Sequence, residues 1–161
     1  MIVGESTVTI NRAVKDVFAY VSEPKNEPTW HNDVIEVRTT SDGLLELGTR
    51  LEWTVRFAGT EDYTIEVTDL EPNRLLRLTT KEGRGHPILT HRFEPVEDGT
   101  RYTRRVEIQP EGLFRVLQPI MRLQAPRRNA RWAQNLKHVL EVDARPRVNG
   151  DLAQSRWGRN Q

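Results

Sequence analysis

From Gly48 onward apolar and polar residues alternate with a period of two, the spacing of strands that have one buried face and one wet face. In GTRLEWTVRF, residues Leu51, Trp53, Val55 and Phe57 share one face, and Arg50, Glu52, Thr54 and Arg56 share the other. EDYTIEVTD repeats the pattern with Tyr63, Ile65 and Val67 inside, and NRLLRLTTK with Leu76 and Leu78. PILTHRFEP adds Leu89, His91 and Phe93, and TRYTRRVEI adds Tyr102, Arg104, Val106 and Ile108. This alternation predicts an antiparallel meander. Upstream, IVGESTVTI, ending in Val8 and Ile10, reads as a first strand, and DVIEVRTT as another.

Two stretches carry helical spacing instead. RAVKDVFAYVS places Val14, Val17, Phe18 and Val21 on one stripe, with Asn11 as the expected N-cap. Pro24 and Pro28 end it, and a short helical turn with Trp30 and His31 follows. The longer stretch runs from Leu113 to Glu141, with apolar residues at Leu113, Val116, Leu117, Ile120, Leu123, Ala130, Ala133, Leu136 and Leu140. It predicts a helix roughly 40 Å long that covers the sheet. Pro119 and Pro126 predict a bend at one or both positions.

The turns predict register. A two-residue hairpin at Asp98-Gly99 pairs Glu97 with Thr100, which sets Phe93 opposite Arg104 and His91 opposite Val106. The loop Ala58-Gly59-Thr60 sets Trp53 opposite Ile65, and the loop from Leu70 to Asn73 sets Asp69 opposite Arg74.

The chain has 161 residues, 29% of them charged and 36% hydrophobic, which suits one domain with a solvated exterior. Residues 1–142 make that domain, and residues 143–161, polar and arginine-rich without a period, read as a tail. No apolar run approaches the roughly eighteen residues of a membrane span, and the start lacks the layout of a signal peptide, so the expected location is cytoplasmic. The absence of cysteine excludes disulfides, thiol catalysis and cysteine-held zinc. Residues 1–100 hold 11 Lys and Arg against 18 Asp and Glu, whereas residues 101–161 hold 13 against 5. The basic end could meet a membrane or nucleic acid, but neutralising the acidic half is its simpler use, and no nucleic-acid partner is expected. Homodimerisation is left open.

The order of these elements resembles the helix-grip fold of the START-like, or SRPBCC, superfamily, and the residues resemble its bacterial polyketide cyclase/dehydrase branch. The resemblance rests on VTINRAVKDVFAYVSEPKNEPTWHNDV, LEPNRLLRL, EDGTRYT and NLKHVLE, and covers about residues 5–142. It implies an α+β fold in which a curved antiparallel sheet wraps a long C-terminal helix. It also implies a cavity between them for an apolar or amphipathic small molecule. In plant-receptor relatives the loops beside the cavity act as gate and latch, which match residues 58–60 and 82–87 here. The family's branches share no strict catalytic motif that maps onto this chain.

On that fold the ligand-binding set is Trp53, Val55, Phe57, Tyr63, Ile65, Leu78, Leu89, Phe93, Tyr102 and Val106, facing Phe114, Leu117 and Met121. The same residues could instead form a solid core. His91 and Arg104 are the polar exceptions on the inner face and the candidate catalytic pair. As diagonal neighbours roughly 7 to 8 Å apart they could hold a carboxylate or enolate, with His91 moving a proton. Alternatively Arg104 pairs with Glu61, Glu111 or a helix-end carbonyl, and His91 is a satisfied core histidine. His31 is expected to fix the short helical turn. The four histidines show no metal-ligand spacing, and no phosphate loop or dinucleotide fingerprint is present, so neither metal nor cofactor is expected. The leading expectation is a binder of a hydrophobic lipid, polyketide or aromatic molecule. The alternative is a cyclase/dehydrase-type enzyme acting on an enolisable ligand.

Overall fold

The computed structural model describes residues 1–39, 45–56 and 59–143, with the backbone alone at residues 113, 114 and 143. Phe57 and residues 144–161 of the expected tail lie outside the described residues. Seven strands form one curled antiparallel sheet in the order β1-β7-β6-β5-β4-β3-β2. They are β1 (Ile2–Ile10), β2 (Val34–Thr39), β3 (Arg50–Arg56), β4 (Thr60–Glu71), β5 (Leu75–Glu82), β6 (Ile88–Val96) and β7 (Gly99–Ile108). Between β1 and β2 stand α1 (Val14–Val21), a 3-10 turn at Pro24–Asn26 and α2 (Glu27–Trp30). A second 3-10 turn, Gly112–Arg115, leads into α3 (Gln118–Asp143).

The alternation places residues as expected. Leu51 and Trp53 on β3, Ile65 and Val67 on β4, Leu76 and Leu78 on β5, Leu89 and Phe93 on β6, and Tyr102 and Val106 on β7 are all buried. Against them packs the second half of α3, through Trp132, Ala133, Leu136 and Leu140.

Register departs from expectation in a systematic way. Val96 pairs with Gly99, which puts Phe93 opposite Tyr102, His91 opposite Arg104 and Leu89 opposite Val106. The turn residues are therefore Glu97 and Asp98. Moving a hairpin tip by one residue shifts every pair by two, so inward residues still face inward residues and hydrophobicity does not register the difference. Gly99 serves close approach instead. Its φ is 130°, and a Cβ there would lie 2.2 Å from the Ile10 carbonyl oxygen on β1. The same two-residue slip occurs between β3 and β4, where Trp53 faces Tyr63 and Leu51 faces Ile65. Between β4 and β5 the turn closes from Glu71 to Leu75, which sets Asp69 opposite Arg77 rather than Arg74, and register shifts at Val67/Asp69 and Thr64/Ile65 follow farther along the pair.

Two helix expectations also change. Ala13, not Asn11, is the N-cap of α1, and it makes no side-chain cap bond. The Asn11 backbone N–H instead donates to Glu141 Oε1 at 2.9 Å, tying the end of β1 to the end of α3. The helix expected from Leu113 begins at Gln118, with Pro119 in its first turn where a missing N–H costs nothing, and continues through Pro126.

The apolar stripe of α3 does not run along one face. Val116, Leu117, Ile120 and Leu123 are exposed, Val116 at 74% and Leu123 at 64%. Each three-residue step falls about 60° short of a full turn at 3.6 residues per turn. The steps from Ala130 to Ala133 to Leu136 therefore carry the apolar pattern from the outer face to the inner one. The inward line is Met121, Ala125, Asn129, Trp132, Leu136 and Leu140, and Gly4 lets β1 approach it, since a Cβ there would meet the Ala125 carbonyl at 3.1 Å.

Candidate functional site

Between the curled sheet and α3 lies a partly open cavity of about 150 Å³ whose wall is mostly apolar. Of the residues expected to line it, Trp53, Val55, Tyr63, Ile65, Leu89, Val106 and Met121 do so. Leu78, Phe93 and Tyr102 are buried in the core but not in the wall; the parts of β6 and β7 that carry Phe93 and Tyr102 pack under α1, with the Phe18 ring 5.2 Å from that of Phe93. Leu117 is exposed, having fallen on the outer face before α3 begins. The side chains of Phe57 and Phe114 lie outside the described residues. The wall also takes Ile2 and Ile108, which close it at β1 and β7, and His31, Asp33, Arg128 and Trp132, which the sequence reading did not place there.

His91 and Arg104 sit directly opposite each other on β6 and β7, rather than diagonally. Arg104 lines the cavity; His91 does not. His91 Nδ1 lies 2.7 Å from the Tyr102 hydroxyl, and burial pushes its pKa down to about 3, with the Arg104 charge adding to the effect. The imidazole is therefore neutral at any pH near 7.

Arg104 is fully buried and has no carboxylate partner among the described residues. Glu61 takes Arg84 at 2.7 Å, and Glu111 stands 3.8 Å from His86. The guanidinium donates through Nη1 to Asn129 Oδ1, and Asn129 Nδ2 donates back to the Arg104 carbonyl at 2.7 Å. Its central carbon stands 4.7 Å from the centre of the Trp132 ring and 5.9 Å from that of Trp30. Such cation–π contacts compensate part of the desolvation. Nε and Nη2 have no hydrogen-bond partner among the described residues. Burial lowers the pKa of Arg104, yet a guanidinium keeps its charge at neutral pH.

A second polar pair completes the site. Glu27 and His31 stand at the i, i+4 positions of α2, with Glu27 Oε1 2.8 Å from His31 Nδ1 and both residues buried. This side-chain bond spans the short turn that His31 is expected to fix, and the His31 backbone N–H also donates to the Glu27 carbonyl at 2.9 Å. Its ring also lines the cavity, 4.2 Å from the ring centre of Trp132. Burial pushes the Glu27 carboxyl up to about 8 despite the opposing Arg104 charge. Burial, reinforced by Arg104, His91 and Arg128, holds His31 well below 6.5. The signal for this pair in the sequence was the four-residue spacing beside Trp30. Arg128 pairs with Asp33 at the rim.

The chain matches the model of the family described as polyketide cyclase/dehydrase and lipid transport over residues 1–141. It belongs to that family. Solved structures agree on the fold. A START superfamily protein from Mycobacterium smegmatis superposes with a TM-score of 0.74 at 15% identity, covering 87% of this chain and 97% of its own. The protein TTHA0849 from Thermus thermophilus gives 0.70 at 14% identity, covering 88% and 99%. The Polyketide_cyc-like protein Cgl2372 from Corynebacterium glutamicum gives 0.63 at 21% identity, covering 91% and 96%. No curated protein matches. This polyketide cyclase/dehydrase-type chain thus has the START-like helix-grip fold, a ligand-binding fold. Among the described residues no helix is long and apolar enough to cross a membrane, and no group of side chains is disposed to hold a metal.

Proposed function

We propose that this protein binds a compact, largely apolar molecule in the cavity between the sheet and α3, with a hydrogen-bond acceptor of the ligand turned toward Arg104. The observation that carries this reading is a buried guanidinium, at the wall of an otherwise apolar cavity, with two nitrogens that have no hydrogen-bond partner among the described residues. Leaving a buried charge incompletely hydrogen-bonded is costly, and an acceptor carried in by a ligand relieves that cost. Trp132 stacks over the guanidinium, so the acceptor enters as that ring turns aside. A volume of about 150 Å³ suits a molecule of roughly benzene size. Longer lipids or polyketides require the cavity to widen. The test is a titration with phenols, aromatic acids, fatty acids, sterols and polycyclic aromatics, read by tryptophan fluorescence, since Trp53 and Trp132 both stand in the wall. Saturable shifts that Trp53→Phe reduces support the reading. No response to any member of the panel defeats it.

An enzymatic reading draws on His31 rather than His91, because His31 is the histidine in the cavity wall. Arg104 and His31 together would polarise a ligand carbonyl and favour its enol. Exchange of α-hydrogen for deuterium in a bound cyclic ketone, lost in His31→Phe, is the measurement that checks it.

A further inference from the structure

Binding at Arg104 leaves the second buried acid–base pair unused. Glu27 is 4% exposed, and among the described residues His31 alone stands within ion-pair distance of it. A single side-chain hydrogen bond, Oε1 to Nδ1 at 2.8 Å, joins the two. One proton occupies that bond, and whether the pair has released its second proton decides the state of the other imidazole nitrogen. A protonated carboxyl donates to Nδ1 and leaves hydrogen on Nε2. An ionised carboxylate accepts from Nδ1 and leaves Nε2 with a free lone pair. No hydrogen-bond partner of His31 Nε2 is seen among the described residues, and the ring forms part of the cavity wall.

We infer that Glu27 sets the hydrogen-bond polarity of the cavity through the tautomer of His31, and that in its protonated form it makes the site one for an anionic head group such as an aromatic carboxylate. The inference rests on the binding reading above and specifies its ligand class. With Glu27 neutral, the cavity wall offers a donor at His31 and a positive field from Arg104, and no acceptor from this pair. With Glu27 ionised, the carboxylate offsets the Arg104 charge while His31 becomes an acceptor, so the site favours a neutral molecule bearing a hydroxyl or N–H. The groups that face the pair are few. Arg104 on β7 favours the ionised carboxylate, Arg128 on α3 disfavours a charge on His31, His91 on β6 is neutral, the Tyr102 hydroxyl is held by His91, and Asp33 is taken by Arg128. Burial outweighs these charges and keeps the proton on Glu27 at neutral pH. Ligand anion and carboxyl proton therefore favour each other, because a ligand anion and an ionised Glu27 would repel each other while compensating the same buried guanidinium.

Two readouts test this on the intact chain: the His31 tautomer by nitrogen-15 NMR across neutral to alkaline pH, and the affinities of benzoate and benzyl alcohol over the same range. In the wild type, His31 should carry its hydrogen on Nε2 at neutral pH and shift it to Nδ1 with a midpoint near 8. Benzoate affinity should fall about tenfold per pH unit above that midpoint, and benzyl alcohol should not follow it. Glu27→Gln, whose amide N–H donates to Nδ1 at every pH, should hold the Nε2–H form throughout and flatten the benzoate profile. A His31 tautomer that stays constant in the wild type across the range overturns the inference, whether or not the variant folds. A benzoate profile that falls equally in both proteins also overturns it. A tautomer that shifts as expected while neither probe binds at any pH defeats the binding reading and leaves the coupling of Glu27 to His31 supported.

Discussion

Replacing Glu27 by Gln should stabilise the protein, by an amount that grows with pH. Below pH 4.5 the carboxyl is protonated in both the folded and the unfolded chain and contributes no difference. Between 4.5 and about 8 the unfolded chain releases a proton that the folded chain retains, so stability declines as pH rises. Above 8 both states are ionised and the penalty is constant. Each tenfold change in proton affinity is worth about 1.4 kcal/mol, so the interval from 4.5 to about 8 corresponds to a penalty of up to about 5 kcal/mol. That is a large share of the roughly 5 to 15 kcal/mol by which a domain is stable. His91 acts in the opposite sense. Its folded-state pKa near 3 lies below the unfolded value of 6.5, so stability rises with pH through that window and is flat above it. Because His91 is common to both proteins, its contribution cancels in the difference between wild type and Glu27→Gln. Urea denaturation at a series of pH values and constant ionic strength should show nearly equal stabilities near pH 4.5 and a gap of several kcal/mol near pH 8. Parallel profiles with a constant offset would refute the argument, since they would mean that Glu27 titrates alike in both states.

Leu136→Ala should cost about 2 to 5 kcal/mol in chemical denaturation, whereas Ile120→Ser, on the outer face of the same helix, should stay within about 0.5 kcal/mol. Gly99→Ala should cost well over about 1 kcal/mol in the same assay, because its Cβ would lie 2.2 Å from the Ile10 carbonyl at a φ of 130°. Arg104→Met should weaken aromatic acids by about 2 kcal/mol, some thirtyfold, and neutral ligands of equal size far less. Equal weakening of both classes, measured by fluorescence titration, would mean that Arg104 serves only to hold Asn129 and the second half of α3.

What the sequence determined by itself is what depends on neighbours along the chain. Period-two alternation assigns Leu51, Trp53, Ile65, Leu76 and Val106 to the inner face because successive side chains of a strand point to opposite sides, whatever the strand pairs with. The seven strands, the short turn at Trp30 and the START-like order followed from such local patterns, and so did the part of the cavity wall that Trp53, Val55, Tyr63, Ile65, Leu89 and Val106 supply. Register did not, because a hairpin tip displaced by one residue leaves every face unchanged, and the bulges near Ile65 and Asp69 leave no mark on the alternation. The face of α3 was decided by packing as well, since three-residue steps after Ala130 turn an apolar string from the outside of the helix to the inside. The polar heart of the site depended most on tertiary structure. Glu27, His31, Arg104 and Asn129 come from α2, β7 and α3, and only the packing of those elements buries them together. Glu27 in PKNEPTW reads as a surface residue. Its proton is held by the low polarity of an interior that residues remote in the chain create, which is why no local pattern reveals it.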